Sequence, residues 1–495
     1  MVSPKDFIVA IELGSSKMTG IAGQKNLDGS ITVLAVAKED SSTYIRKGVV
    51  YNIDKTAQSL ANIVKKLETQ LKTSITRVYV GVGGQSIRGV RNVIAKDLPA
   101  GTIVTDAMVD ELVDANRNMD YADQEILDTA VQEYRVDSQY QQDPVGIQCT
   151  RLEGNYLNIL QRKAFYKNFN MCFEAAGIQI AEMLNAPLAL ADAVLTEQER
   201  RSGCALVDIG ADTTTVSVYS KNILRHIAVI PLGGANITKD IATLQMEESD
   251  AEKMKIKYGS AYTDNNDIDN NLKYSIDQER SVESRRFIEI VEGRLEEIVE
   301  NAWYQIPSEF YDKLLGGIIL TGGGSNMKNI ERAFYNHTHV EKIRIAKTPT
   351  QTITFSGGRQ QGDIDYLKAK NGMMCTVLGL LMKGDMNCAG DAIDPNGDLF
   401  GNQNTGGGST AGKPDQRPAR KPGEVPAGVV RTEAEKQQAE EEARRKKEEE
   451  ERIAAEEERK RQVEEERIRR ENSRWNKFKK GLVNFGKSIV GPEEE

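Results

Sequence analysis

Two short turns, Glu12-Leu13-Gly14-Ser15-Ser16-Lys17 and Asp208-Ile209-Gly210-Ala211-Asp212-Thr213, carry residue types that can hold a phosphate chain. In the first, Gly14 lets a ligand approach the backbone, Ser15 and Ser16 offer hydroxyl and amide donors, and Lys17 brings a compact positive charge. The second lies in VDIGADTTTVSVY at 207–219 and repeats the plan of apolar strand, acid, glycine, hydroxyl-rich turn and strand. Facing each other, two such turns would clamp a phosphate chain from both sides, with Glu12 and Asp208 holding a magnesium ion through water. A third segment, GGIILTGGGSNMKNIE at 316–331, sets Gly322, Gly323 and Gly324 after an apolar strand pattern and before a helix. There a flat purine or its ribose can lie close to the backbone. Each segment alone also reads as an ordinary strand-end turn; the three in this order argue for one site. No G-x-x-x-x-G-K-[ST] loop occurs, and no G-x-G-x-x-G follows the first strand.

The elements that must position these turns are strand patterns, FIVAIEL, RVYVGVG, CALVDIG, TTVSVYS and GGIILTGG, separated by helical stretches over residues 1 to about 390. That alternation predicts a mixed α/β body whose sheets are covered by helices. A chain of 495 residues has ample core for it. No stretch approaches the roughly 18 apolar residues of a spanning helix, and the N-terminal apolar run is too short for a signal peptide, so a soluble cytoplasmic body is expected. Cysteines at 149, 172, 204, 375 and 388 show no Cys-x-x-Cys spacing and read as reduced core thiols. His226, His337 and His339 are too scattered for a metal cluster. A net charge of -9 argues against nucleic acid as a partner.

Beyond the body the composition changes twice. The span 391–430, with GNQNTGGGSTAGKPDQRPARKPGEVPAG, is too poor in apolar residues to offset its chain entropy and reads as a flexible linker. The span 431–472 is dominated by helix formers, with Glu440 and Arg444, Glu448 and Arg452, and Glu456 and Lys460 each four apart. It reads as a solvated spacer helix about 60 Å long. In 473–495, Trp475, Phe478, Leu482, Phe485 and Ile489 advance by three and four onto one helical stripe, flanked by Lys479, Lys480 and Lys487. Such an amphipathic helix suits an anionic membrane surface; the alternative is a terminal helix docked on the body.

The ordered set AIELGSSKMTG, VDIGADTTTVSVY and TGGGSNMKNIE resembles the phosphate 1, phosphate 2 and adenosine motifs of the actin and sugar-kinase superfamily. EMLNAPLALADAVL (182–195) and GMMCTVLGLLMK (372–383) resemble its connecting helices. Within it, VYVGVGGQSIRGV, VTDAMVDELVDANR and the run ILDTAVQEYRVDSQYQQDPVGIQCTRLEGNYLNIL are similar to the inserted domain of the FtsA cell-division family. The resemblance implies an actin-like two-lobed ATPase fold with an inserted SHS2-like subdomain. Its first lobe would take 1–83 and 166–200, the inserted subdomain 84–165 and the second lobe 201–390.

It also implies ATP and magnesium as ligands. Gly14, Ser15, Ser16 and Lys17 would meet the β- and γ-phosphates, with Gly210 and Thr213 opposite and Gly233 and Gly234 in a nearby turn. Glu252 and Lys255 would approach ribose and adenine, and Gly322 to Gly324 with Asn326 would close the base side. Two departures from the family pattern point to slow or absent hydrolysis, with ATP as a brace between lobes. Ala211 and Asp212 stand where glycine is common, and Asn185 stands where strong ATPases carry Gln or Glu; an amide orients water but cannot take its proton. The family's members tether FtsZ filaments to the inner membrane through the FtsZ C-terminal tail, self-associate into filaments and help recruit other division proteins. The implied place is therefore the cytoplasmic face of that membrane at the division site. RRFIEIVEGRLEEIVENAW (285–303) resembles the tail-binding helix, which makes Arg286 and Arg294 candidate contacts. The competing readings are a small-molecule kinase, for which 84–165 offers no substrate motif, and a pilus-assembly ATP-binding protein, which would be expected to lack the terminal stripe.

Overall fold

A computed structural model describes residues 6–355 and 369–392; the linker, the spacer helix and the Trp475 to Ile489 stripe lie outside them. Two sheets are built on one plan. In the first, strands run in the order Ile180–Asn185, Val78–Val82, Ile8–Leu13, Lys17–Lys25, Ile31–Asp40, with Ile353–Phe355 at the edge. In the second, the order Ile343–Ile345, Gly317–Thr321, Cys204–Ile209, Thr214–Ser220, Ile223–Ile230 repeats it. Each lobe's first strand pairs antiparallel with its second and parallel with its fourth, and the fourth pairs parallel with the fifth. Parallel neighbours require crossovers that cover the sheet faces, so the central strands are apolar on both sides. Ile8 to Ile11 and Cys204 to Val207 are accordingly buried throughout.

Helix Ile53–Leu71 shows how local sequence serves this plan. Asn52 caps it by accepting from the Lys55 amide, and Lys72 ends it in a left-handed conformation (φ 56°). Leu60, Ile63, Leu67 and Leu71, spaced by three and four, put one face on the first lobe's core. The second lobe buries Phe287, Val291, Leu295, Ile298 and Val299 of helix Ser284–Tyr304 in the same way. All five cysteines are buried and unpaired.

The inserted segment contributes the long strands Arg88–Ile103, Gln124–Val136 and Gln148–Arg162 and the helix Asp106–Arg117. Although it leaves and rejoins the chain within the first lobe, its sheet continues that of the second, through the pair Arg88 and Ala228, into nine strands. Arg225 reinforces the seam, donating to Glu133 at 2.7 Å and Gln132 at 3.3 Å. A shared core of Ile87, Leu157, Ile159, Leu190, Val194, Leu206 and Ile227 fills the space where inserted segment and lobes meet.

The chain passes between lobes through helix Ala186–Val194 and the short helix Glu197–Ser202, which opens with a capping box between Thr196 and Glu199. Glu199 is buried and takes a bidentate pair from Arg344, at 2.6 and 2.8 Å, on the second lobe's edge strand. Burial opposes its charge, but the Arg344 and Thr196 donors outweigh burial and hold its carboxyl down at about 2. A carboxyl depressed by folding stabilises the native state fully above its unfolded pKa, near 4.5, and loses that contribution as pH falls towards 2. Urea unfolding of wild type should therefore weaken between pH 5 and pH 3 more steeply than that of Glu199→Gln. Parallel pH profiles would remove Glu199 from the acid-labile groups.

Candidate functional site

Glu12 and Asp208 are the penultimate residues of equivalent strands, each opposite a threonine, Thr19 and Thr215. Past them the strands break into the two turns, and the lobes bring both turns to one cavity of about 730 Å³. Gly14, Ser15, Ser16 and Lys17 line it from one side and Gly210 and Thr213 from the other. Gly234, Glu252, Lys255, Gly322, Gly323, Gly324 and Asn326 complete the expected set along its wall.

The floor holds two desolvated acids and a desolvated lysine. Burial, then the nearby Asp208 charge, push the Glu12 carboxyl up to about 7 against the pull of Lys17 and a hydrogen bond from Thr376. Burial pushes Asp208 up to about 6. Lys17 is itself held below the usual ammonium range, chiefly by burial, and its Nζ lies 3.4 Å from Met373 Sδ. Two close carboxylates with one desolvated ammonium suit a hydrated hard cation beside phosphate oxygens. Magnesium takes one or two carboxylates and keeps several waters, a demand that two acids could meet; no cluster of three or more His, Cys, Asp or Glu that could hold a metal occurs among the described residues.

The wall is pre-shaped. Lys255 Nζ donates to the Gly234 carbonyl and Thr238 Oγ1, both at 2.9 Å, and pairs with Glu252 at 2.6 Å. The Glu252 carboxylate stays 44% exposed, leaving acceptor capacity for a sugar hydroxyl. Asn326 Nδ2 bonds the carbonyls of Gly322, Gly323 and Asn371, so its amide stiffens the triple-glycine loop. Gly322 sits at φ +82°, where a Cβ would collide with Asp208 Oδ1 and lie 2.6 Å from the Ile209 carbonyl. Only glycine lets the third segment pack on the acid of the second.

Three residues singled out in the sequence lie outside the cavity lining. Gly233 backs the second turn from outside the cavity lining, and its neighbours Gly234 and Ala235 donate to the carbonyls of Gly210 and Ala211 at 2.9 and 2.7 Å. Asn185 is likewise not among the lining residues: its Oδ1 caps helix Ala186–Val194 on the Leu188 amide at 3.3 Å. Asp212 accepts the Lys47 amide at 2.9 Å, so this carboxylate reaches the first lobe. On helix Ser284–Tyr304, Arg286 is exposed, whereas Arg294 is paired with Asp240 at 2.5 Å and with Glu297. The cavity also takes in Gly48, Gly81, Gly83, Met373 and Thr376, which sequence reasoning passed over. Gly81 and Gly83 carried a signal, a fourth apolar strand ending in glycines, that the inserted-domain resemblance absorbed.

Comparison with known proteins places these features in context. A model of the family described as cell division protein FtsA matches residues 205–377, and one for the SHS2 domain inserted in FtsA matches 84–160. The chain is 32% identical over 326 residues to the cell division protein FtsA of Porphyromonas gingivalis, covering 64% of this chain and 68% of the relative. It is 31% identical over 338 residues to that of Neisseria meningitidis serogroup B, covering 67% and 81%. Among solved structures, the PilM–PilN type IV pilus biogenesis complex contains a chain that matches with a TM-score of 0.53 and 15% identity, over 79% of this chain and all of that one. At that identity the likeness is one of fold.

Proposed function

Because the chain belongs to the FtsA family of cell-division proteins, with an actin-like two-lobed fold and the family's inserted subdomain, we propose that it binds MgATP between its lobes. We propose further that it polymerises on the cytoplasmic face of the inner membrane, tethers FtsZ filaments by their C-terminal tail and helps recruit the division machinery. The observation that carries the nucleotide reading is the convergence of two acid-bearing turns and Lys17 on one cavity. Glu12 and Asp208 would hold magnesium through water, and the ion would neutralise phosphate charge. Ser15, Ser16 and Lys17 bind the terminal phosphates from the first lobe, and Gly210 and Thr213 from the second. Glu252 orients the ribose.

Turnover on this reading is slower than about 1 per second, below the usual enzymatic range, and the nucleotide fixes the angle between lobes. Membrane attachment rests on the sequence of the Trp475 to Ile489 stripe with Lys479, Lys480 and Lys487. Arg286, on an exposed helix face, is the better candidate for a tail carboxylate, because Arg294 already has two acidic partners.

Cosedimentation tests the proposal. The full chain with ATP should pellet anionic liposomes and bring a labelled FtsZ tail peptide with it. A chain ending at residue 472 should bind the peptide but leave the lipid. Equal pelleting of both chains would overturn the anchor, and absence of peptide binding by both would overturn the tether.

A further inference from the structure

The cleft is closed at one corner by a small device outside the phosphate turns. Ile45–Arg46 and Val49–Val50 pair as a minimal hairpin whose turn, Lys47–Gly48, has both residues at positive φ, 51° and 70°. This is the mirror-image turn that suits a two-residue connection. Tyr44, Ile45 and Val50 root it in the first lobe's core.

Its tip meets three separate segments. The Gly48 amide donates to Ser15 Oγ in the first phosphate turn at 2.8 Å. The Lys47 amide donates to Asp212 Oδ2 in the second-lobe phosphate turn at 2.9 Å. The Lys47 carbonyl accepts the amide of Gln85 at 3.0 Å, at the root of the inserted subdomain. Gly84 lies backbone to backbone against the tip. A Cβ on Gly48 would come within 2.5 Å of the Gly84 Cα, and one on Gly84 within 2.6 Å of the Gly48 carbonyl. One two-residue turn thus holds both phosphate turns and the start of the inserted subdomain.

We propose that Asp212, through the Lys47–Gly48 turn, is a positioning residue that latches the two lobes together and couples occupancy of the phosphate turns to the root of the inserted subdomain. The coupling to nucleotide rests on the MgATP reading; the latch itself does not. Phosphate drawn between Ser15 and Thr213 would hold the two turns at the spacing that lets Asp212 reach the Lys47 amide. Opening the lobes would strain that bond directly, because it joins the first-lobe tip to the second-lobe turn. Gln85 would then lose a fixed acceptor, loosening the approach to the strand that begins at Arg88.

Hydrogen exchange read by mass spectrometry on the full chain tests the latch without nucleotide. Asp212→Ala and Asp212→Gly should speed exchange in peptides covering 45–50 and 84–88, while strand Thr214–Ser220 stays protected and the melting temperature holds. Asp212→Asn, which keeps an acceptor oxygen, should stay near wild type. Unchanged exchange at 84–88 in both acceptor-less variants would overturn the proposal. With a fluorescent ATP analogue and magnesium, both variants should release nucleotide roughly fivefold faster, what about 1 kcal/mol corresponds to. Equal release rates would overturn the coupling. Failure of wild type to bind the analogue would instead overturn the MgATP reading, leaving the latch to be decided by exchange.

Discussion

Replacing Arg344 with methionine is expected to destabilise the folded chain by about 3 kcal/mol. The physical reason lies in what the substitution leaves behind. Glu199 is buried, and both of its carboxylate oxygens rest on the guanidinium. With Arg344 gone, Thr196 remains, through its amide at 2.9 Å and hydroxyl at 3.0 Å, which cannot neutralise the charge. Arg344 Nη2 also satisfies the Val194 carbonyl at 2.7 Å, so one residue ties the second lobe's edge strand to both helices of the inter-lobe passage. The figure sits at the low end of the range for broken buried pairs because the Arg344 side chain is 37% exposed and water can reach the gap. Chemical unfolding of wild type, Arg344→Met, Glu199→Gln and the double variant gives the answer. The double variant should recover most of the loss, since a neutral amide needs no counter-charge. A single-variant loss below about 1 kcal/mol would show that the pair behaves as a surface bridge.

On the proposed MgATP reading, Asp208→Ala is expected to weaken MgATP binding about a hundredfold, equivalent to roughly 2.7 kcal/mol, while leaving metal-free ATP binding nearly unchanged. The same substitution should hold or raise the melting temperature of the nucleotide-free protein. Burial pushes the Asp208 carboxyl up to about 6, and its charge also opposes that of Glu12, so the empty cleft bears a cost that alanine removes. Loss of ligand affinity with no loss of stability is the signature of a residue retained for function. Calorimetric titration with ATP in magnesium and in EDTA, with a thermal melt of each sample, separates the two effects. Equal affinity for MgATP in wild type and variant would remove Asp208 from the cation site. A large fall in melting temperature would make it a structural acid.

The two acid-glycine turns were legible as strand-end turns because they are local. An apolar run, an acid, a glycine and hydroxyls within about ten residues fix a strand, its end and the chemistry beside it, whatever the rest of the chain does. That is why Glu12, Lys17, Asp208 and Thr213 could be proposed from sequence, and why a repeated pattern implies repeated lobes. The triple-glycine segment was legible to the same extent, although a 3-10 turn, Gly324–Asn326, separates its strand from a helix that begins only at Ile330.

What sequence could not decide is who meets whom across long separations. The inserted segment follows Val82 in the chain, yet its sheet joins the second lobe's at Arg88 and Ala228. Edge strands offer the same backbone donors and acceptors to any partner, so the choice is made by the apolar surface that the join buries, including Ile87, Leu157 and Ile227. Asp212 gives the same lesson at the scale of one side chain. In sequence it reads as a departure from a common glycine; in the fold its oxygen reaches the Lys47 amide. Asn185 reads as a water-orienting amide and is found capping a helix. Chain order thus specified the turns and the residue types they carry. The folded structure specified their spacing and partners, because those depend on packing free energy summed over segments that sequence alone does not bring together.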